Sequence, residues 1–261
     1  MGGQAVRIGQ IVPSSNTTME TELPAILRGR AALYPGERFT FHSSRMRMKR
    51  VTRAELAAMD ADSDRCALEL SDAAVDVIGY ACLVAIMSMG AGYHRDSQRR
   101  LQGRMAENGA PAPVVTSAGA LIEGLSALGA RRVAVITPYT KPLTRLVTDY
   151  IEAEGFEVRA RVSLEIEDNL AVGRRDPMAL VEIARGMDLT DVDALVLSAC
   201  VQMPSLAAIE PVEAACGKPV ISAAVCTAFC MLRALNLAAA APGAGALLSG
   251  RYGAPTLARA G

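Results

Sequence analysis

Arg7-Ile8-Gly9-Gln10-Ile11-Val12-Pro13 and Arg132-Val133-Ala134-Val135-Ile136-Thr137-Pro138 read as one strand written twice, 125 residues apart. Each is a short apolar run opened by arginine and closed by proline, the pattern of a buried strand that must stop at its last residue. Two further pairs follow in the same order. Val75-Asp76-Val77-Ile78-Gly79-Tyr80-Ala81-Cys82 resembles Val192-Asp193-Ala194-Leu195-Val196-Leu197-Ser198-Ala199-Cys200, with one residue added in the second copy. Pro113-Val114-Val115-Thr116-Ser117 resembles Pro219-Val220-Ile221-Ser222-Ala223. Three matches in one order argue for a duplicated unit.

Outward from these pairs the chain alternates. Strand-like runs fall at Val6 to Val12, Phe39 to His42, Val75 to Tyr80, Val114 to Ser117, Arg132 to Thr137, Glu157 to Val162, Ala194 to Ser198 and Pro219 to Ser222. Amphipathic stretches of helical length lie at Arg53 to Ser71, Gly119 to Leu128, Leu143 to Glu154, Pro177 to Met187 and Thr227 to Ala240. Strands alternating with helices imply βαβ units and a mainly parallel sheet covered on both faces. The expected class is α/β, built as two pseudo-symmetric lobes with the site in the cleft between them. Residues 1–116 with 225–261 would form the N-terminal lobe and 117–224 the C-terminal lobe. Ligands on such sheets bind beyond the carboxyl ends of the strands.

Composition narrows the partners. The chain has 261 residues, 51% hydrophobic and 21% charged, with 27 basic side chains balancing 27 acidic ones. No net field draws it to nucleic acid or an acidic membrane, so a small molecule is the expected partner. Mean hydropathy is +0.24, yet the uncharged stretch from Val77 to Tyr93 is interrupted by Gly79, Gly90 and Gly92 and falls short of the roughly 20 apolar residues of a membrane span. It reads as a buried strand followed by a loop or short helix. The first residues lead into a strand without a signal-peptide pattern, which points to the cytoplasm. There the six cysteines are expected as free thiols. No CxxC pair exists, and His42 and His94 lie far from Cys226 and Cys230, so no metal is expected. Nucleotide motifs fail too: Arg95 and Leu248 stand where the third glycines of two GxGxxG patterns belong, and Ala130 replaces a P-loop lysine.

Cys82 and Cys200 carry the chemistry. Each follows alanine at the carboxyl end of a strand opened by Val-Asp, so a cleft between the lobes receives one thiol from each side. Cys66, Cys216, Cys226 and Cys230 lack that placement and read as structural. After the first strand, Ser14, Ser15 and Asn16 precede Thr17 and Glu20, which fit a capping box. That loop suits a bound anion at a helix start and equally an ordinary capped turn. Pro24 is expected to kink or break the helix that follows. In the second copy Tyr139 occupies the corresponding loop, where its hydroxyl suits a carboxylate or simply packs. Glu167-Asp168-Asn169 reads as a strand end whose Asn169 amide faces the cleft or solvent. Arg174 and Arg175 read as a solvated face.

With these motifs the sequence resembles the maleate cis-trans isomerases of the aspartate/glutamate racemase superfamily, over nearly the whole chain. The resemblance implies a two-lobed α/β fold, commonly dimeric, acting without cofactor or metal. It puts Cys82 and Cys200 on opposite faces of the substrate and assigns Asn16, Tyr139 and Asn169, with Ser14 and Ser15 nearby, to the substrate carboxylates. Amino-acid racemases of this superfamily carry Asn-Thr after the first cysteine and Thr-Glu after the second. Here Leu83-Val84 and Val201-Gln202 stand there, an apolar collar that suits an alkene and not an ammonium. The chemistry implied is thiolate addition to maleate, rotation about the resulting single bond and elimination to fumarate. A helix N-terminus or backbone N–H groups near Cys82 would be needed to favour its thiolate. A two-cysteine amino-acid or hydantoin racemase, an arylmalonate-decarboxylase-like enzyme and a non-catalytic small-acid binding protein are the competing readings.

Overall fold

The computed structural model describes residues 5–48 and 51–252. Two four-stranded sheets, every neighbouring pair parallel, have the same strand order. The first runs β2-β1-β3-β4, from β1 (Val6–Pro13), β2 (Phe39–Met46), β3 (Val77–Tyr80) and β4 (Val114–Thr116). The second runs β6-β5-β7-β8, from β5 (Arg132–Thr137), β6 (Glu157–Ser163), β7 (Ala194–Ser198) and β8 (Val220–Ser222). Helices cover the sheets: α1 (Met19–Gly29), α2 (Arg53–Asp72), α3 (Leu83–Ser88), α4 (Tyr93–Glu107), α5 (Ser117–Ala127), α6 (Lys141–Ala153), α7 (Asn169–Gly173), α8 (Ala179–Arg185), α9 (Leu206–Cys216) and α10 (Ala223–Ala234). Among the described residues no helix is long and apolar enough to cross a membrane.

The repeat extends to individual hydrogen bonds. The N–H of Arg7 donates to the Asp76 carboxylate at 2.6 Å, and the N–H of Arg132 donates to Asp193 at 2.8 Å. These are the two aspartates of the repeated Val-Asp pair, and each fixes the start of a central strand against its neighbour. At the other end, the N–H of Ala81 donates to Ile11 at 2.8 Å and that of Ala199 to Ile136 at 3.0 Å. Each cysteine therefore sits one residue beyond the last sheet bond of its strand.

Central strands are mainly apolar because both faces are covered. Gly79 shows how tightly: a Cβ there would lie 2.9 Å from Met19 Cε and 3.1 Å from Met231 Sδ, so glycine lets α1 and α10 approach β3. The hydroxyls of Thr116 and Ser222 accept the N–H groups of Gly119 and Val225, starting α5 and α10 in the same way.

Several expectations need correction. Thr17 and Glu20 form no capping box: Asn16 Oδ1 accepts the Met19 N–H at 3.0 Å, while Glu20 pairs with Arg45. Pro24 does not end α1, which continues to Gly29 with Pro24 buried. Glu167-Asp168-Asn169 is a helix start, not a strand end, because Asp168 Oδ1 caps Ala171 at 2.7 Å and opens α7. Arg174 is exposed, but Arg175 is only half-exposed, with its Nε buried.

Candidate active site

The carboxyl ends of β1, β3, β5 and β7 meet, and the residues just past them line one narrow space. Its walls are Pro13, Asn16, Met48, Val51, Cys82, Leu83, Val84, Tyr139, Asn169, Cys200, Val201 and Gln202. Eight of the sequence-derived candidates are there. Ser14 and Ser15 are not: the Ser14 hydroxyl is tied to the Met48 backbone at 3.0 and 3.2 Å, and Ser15 Oγ accepts the Asn169 amide at 2.8 Å. Sequence reasoning missed Pro13, Met48 and Val51, whose apolar side chains carry no chemical signature, and it misread Gln202 as part of an apolar collar.

The free space is about 20 Å3, the room of about one water. A larger cavity of about 670 Å3 lies against the site, sharing Val51 and Tyr139 with it.

Cys82 ends its strand with φ 155° and ψ 83°, a backbone rarely used by residues with a Cβ, and α3 begins immediately after it. Both cysteines are 6% exposed. Burial pushes the Cys82 thiol up to about 12, against the lowering effect of the Ala85 N–H, and charge on Cys200 or Asp60 pushes the same way as burial. The helix start expected near Cys82 is present, but desolvation outweighs it. Burial thus favours the neutral thiol of Cys82 over its thiolate. Burial also raises Cys200, opposed by hydrogen bonds from the Tyr139 hydroxyl and from the N–H groups of Gln202 and Met203. The Gln202 N–H lies 3.4 Å from the Cys200 sulfur. Cys200 is thus the thiol with more donors around it.

Asn16 has its oxygen fixed by Met19, which leaves its Nδ2 as the group to face an anion. Arg45 braces the same loop, donating to the carbonyls of Ser14 at 2.9 Å and Asn16 at 3.2 Å. Leu83, Val84 and Val201 make the apolar part of the wall. Two thiols, amide and phenol donors and an apolar collar suit a small unsaturated or prochiral acid.

A family model described as arylmalonate decarboxylase matches residues 8–248. Maleate isomerase of Pseudomonas putida is 66% identical over 249 residues, covering 95% of this chain and 99% of that protein. The chain belongs to the maleate isomerase family. Within this family, the enzyme of Pseudomonas putida S16, crystallised with maleate as a cysteine-to-alanine variant, superposes with a TM-score of 0.94 at 65% identity, covering 95% of this chain and 99% of that one. A cysteine-to-serine variant of the Nocardia farcinica maleate cis-trans isomerase carries a covalently bound succinylcysteine intermediate. It superposes with a TM-score of 0.90 at 50% identity, covering 94% of this chain and 98% of that one.

Proposed function

We infer that this chain is an enzyme that isomerises maleate to fumarate without a cofactor, using Cys82 as nucleophile and Cys200 as its acid–base partner. The observation that carries the reading is the pair of thiols, each two residues beyond equivalent strands, lining one narrow apolar site.

The chemistry follows from what hinders rotation. A C=C bond does not rotate until its π pair is withdrawn. Sulfur of Cys82 bonds to one alkene carbon, and the π pair moves through the neighbouring carbon into the far carboxylate as an enediolate. Asn16, Tyr139 and Asn169 stabilise that charge. The central bond, now single, rotates. Expulsion of the Cys82 sulfur then returns the electron pair to the C=C bond as fumarate. If Cys200 delivers its proton to the carbanionic carbon, a succinyl-cysteine adduct forms, and return of that proton to Cys200 reopens the path. Nothing is consumed. A neutral resting Cys82 fits this sequence when its proton passes to a carboxylate oxygen of the substrate as the sulfur attacks and returns to the sulfur on its expulsion, because a buried thiolate beside a dianion carries a high cost.

The reading extends to a homodimer or higher homo-oligomer in the cytoplasm, and to a division into 1–116 with 225–261 and 117–224; light scattering tests the first of these. Incubating the protein with maleate and following the alkene protons by NMR tests the function. Fumarate forming with wild type and not with Cys82→Ala supports the reading. Binding without conversion refutes it.

A further inference from the structure

Gln202 is 2% exposed, and its side-chain amide is directed at the other lobe. Its Oε1 accepts the N–H of Thr17 at 2.9 Å and that of Thr18 at 3.4 Å. Its Nε2 donates to the carbonyls of Ser15 at 3.2 Å and Asn169 at 2.9 Å. An amide has two acceptor positions and two donor hydrogens, and all four are used on backbone groups. None remains for a substrate. The residue's own carbonyl accepts the Thr18 hydroxyl at 2.7 Å, while its N–H faces the Cys200 sulfur.

We propose that Gln202 is a positioning residue, a clamp that holds the Asn16 loop and Asn169 in one frame against the Cys200 loop. The contacts bracket both asparagines. Ser15 and Thr17 flank Asn16, so fixing their carbonyl and N–H fixes the peptide that carries its side chain. Asn169 is held by its own carbonyl and also reaches Ser15 Oγ at 2.8 Å, so the two amides form one connected network. Gly173 protects it: a Cβ there would lie 2.5 Å from Gln202 Nε2 and 3.1 Å from Thr17 Oγ1. A site whose donors are held before the substrate arrives avoids the cost of ordering them on binding. A hydrocarbon of the same size would fill this place but could not carry that frame, and glutamate would set an oxygen against two carbonyl oxygens.

This inference rests on the reading of Asn16 and Asn169 as carboxylate donors, and the test separates the two. Steady-state kinetics with maleate and thermal unfolding are measured for Gln202→Ala, Gln202→Glu, Gly173→Ala, Asn16→Ala and the Asn16→Ala/Gln202→Ala double variant. Expected is a rise in KM and a fall in kcat/KM of about 10- to 100-fold for Gln202→Ala, the scale of losing hydrogen bonds to a charged ligand. The double variant should lose less than the product of the two single losses, because part of the Gln202 effect passes through Asn16. Gln202→Glu should recover relative to wild type as pH falls, since a protonated carboxyl donates to one of the two carbonyls. Gly173→Ala, whose added methyl meets Gln202 Nε2 and Thr17 Oγ1, should shift KM in the same direction, and it decides the matter if Gln202→Ala does not fold. Wild-type KM and kcat/KM in the Gln202 and Gly173 variants, with Asn16→Ala impaired, overturn the clamp alone. Wild-type kinetics in Asn16→Ala as well overturn the carboxylate reading beneath it. Fully multiplicative losses in the double variant would also overturn the clamp.

Discussion

Glu22 accepts the N–H of Leu206 at 2.7 Å and that of Ser205 at 2.6 Å, so a carboxylate on α1, beside the first sheet, caps α9, beside the second. The bond joins parts of the chain 184 residues apart and lies close to the Gln202 clamp. Burial raises the Glu22 carboxyl above its ordinary value, with the Leu206 and Ser205 N–H groups acting against it. The folded state therefore holds this proton more tightly than the unfolded chain. Stability from this group is complete below the unfolded value of 4.5 and is lost as pH rises through the folded value.

Glu22→Gln removes that titration and keeps an oxygen for the α9 cap. Relative to this variant, wild type should lose unfolding temperature as pH is raised from about 4 toward 8, measured by calorimetry. A wild type that gains on the variant over that range would show that the N–H groups outweigh burial.

How much of this was legible in the sequence differs from element to element. β5 and β7 fall at Arg132–Thr137 and Ala194–Ser198, where the apolar runs place them, because a strand covered on both faces has no polar alternation to blur its ends. α4 escaped detection because its buried stripe is His94, Ser97, Leu101 and Met105. The spacing is helical, but half of the stripe is polar. α9 carries Pro211 inside it, which reads as a break. At the site, the cysteines were legible through the repeat and Tyr139 through its loop. The role of Gln202 was not, since its Thr17 partner is 185 residues away. Its amide does mark it as out of place in an apolar collar. The Asp168 cap was available as a signal three residues before Ala171.

The thiol chemistry carries a pH signature. With Cys82 pushed up to about 12 by burial, its inactivation by iodoacetamide should rise about tenfold per pH unit through pH 9 with no plateau near neutrality. Mass spectrometry would map the label, and maleate should protect it. A plateau between pH 6 and 8 would mean that the sulfur is ionised at rest. Cys82→Ala should lose turnover while stability changes by about 1 kcal/mol, the worth of burying one small apolar group.

Packing under the first cysteine is testable at Gly79. A methyl there meets Met19 and Met231, whose flexible ends can shift only by disturbing α1 and α10. Gly79→Ala should cost about 1–3 kcal/mol in denaturant unfolding, with an unchanged m-value. Neutral stability would mean that the two methionines re-pack freely, and that the close approach at β3 has no energetic consequence.

Tyr139 offers the sharpest test of the acid–base partner. Its hydroxyl opposes the rise that burial imposes on the Cys200 thiol, while the residue, 7% exposed, packs the wall. Tyr139→Phe keeps the ring and removes only the donor, so Cys200 should be harder to ionise and any pH limb belonging to it should move upward. Losing a hydrogen bond to a charged group is worth about 10- to 150-fold. If the hydroxyl meets charge that exists only during turnover, on the Cys200 sulfur or on the enediolate, that loss falls on kcat with KM little changed. A rise in KM with kcat preserved would instead assign the hydroxyl to the resting carboxylate of bound maleate. Wild-type values of both would make the Tyr139 loop structural, and the acid–base role of Cys200 would then rest on its backbone donors, the N–H groups of Gln202 and Met203.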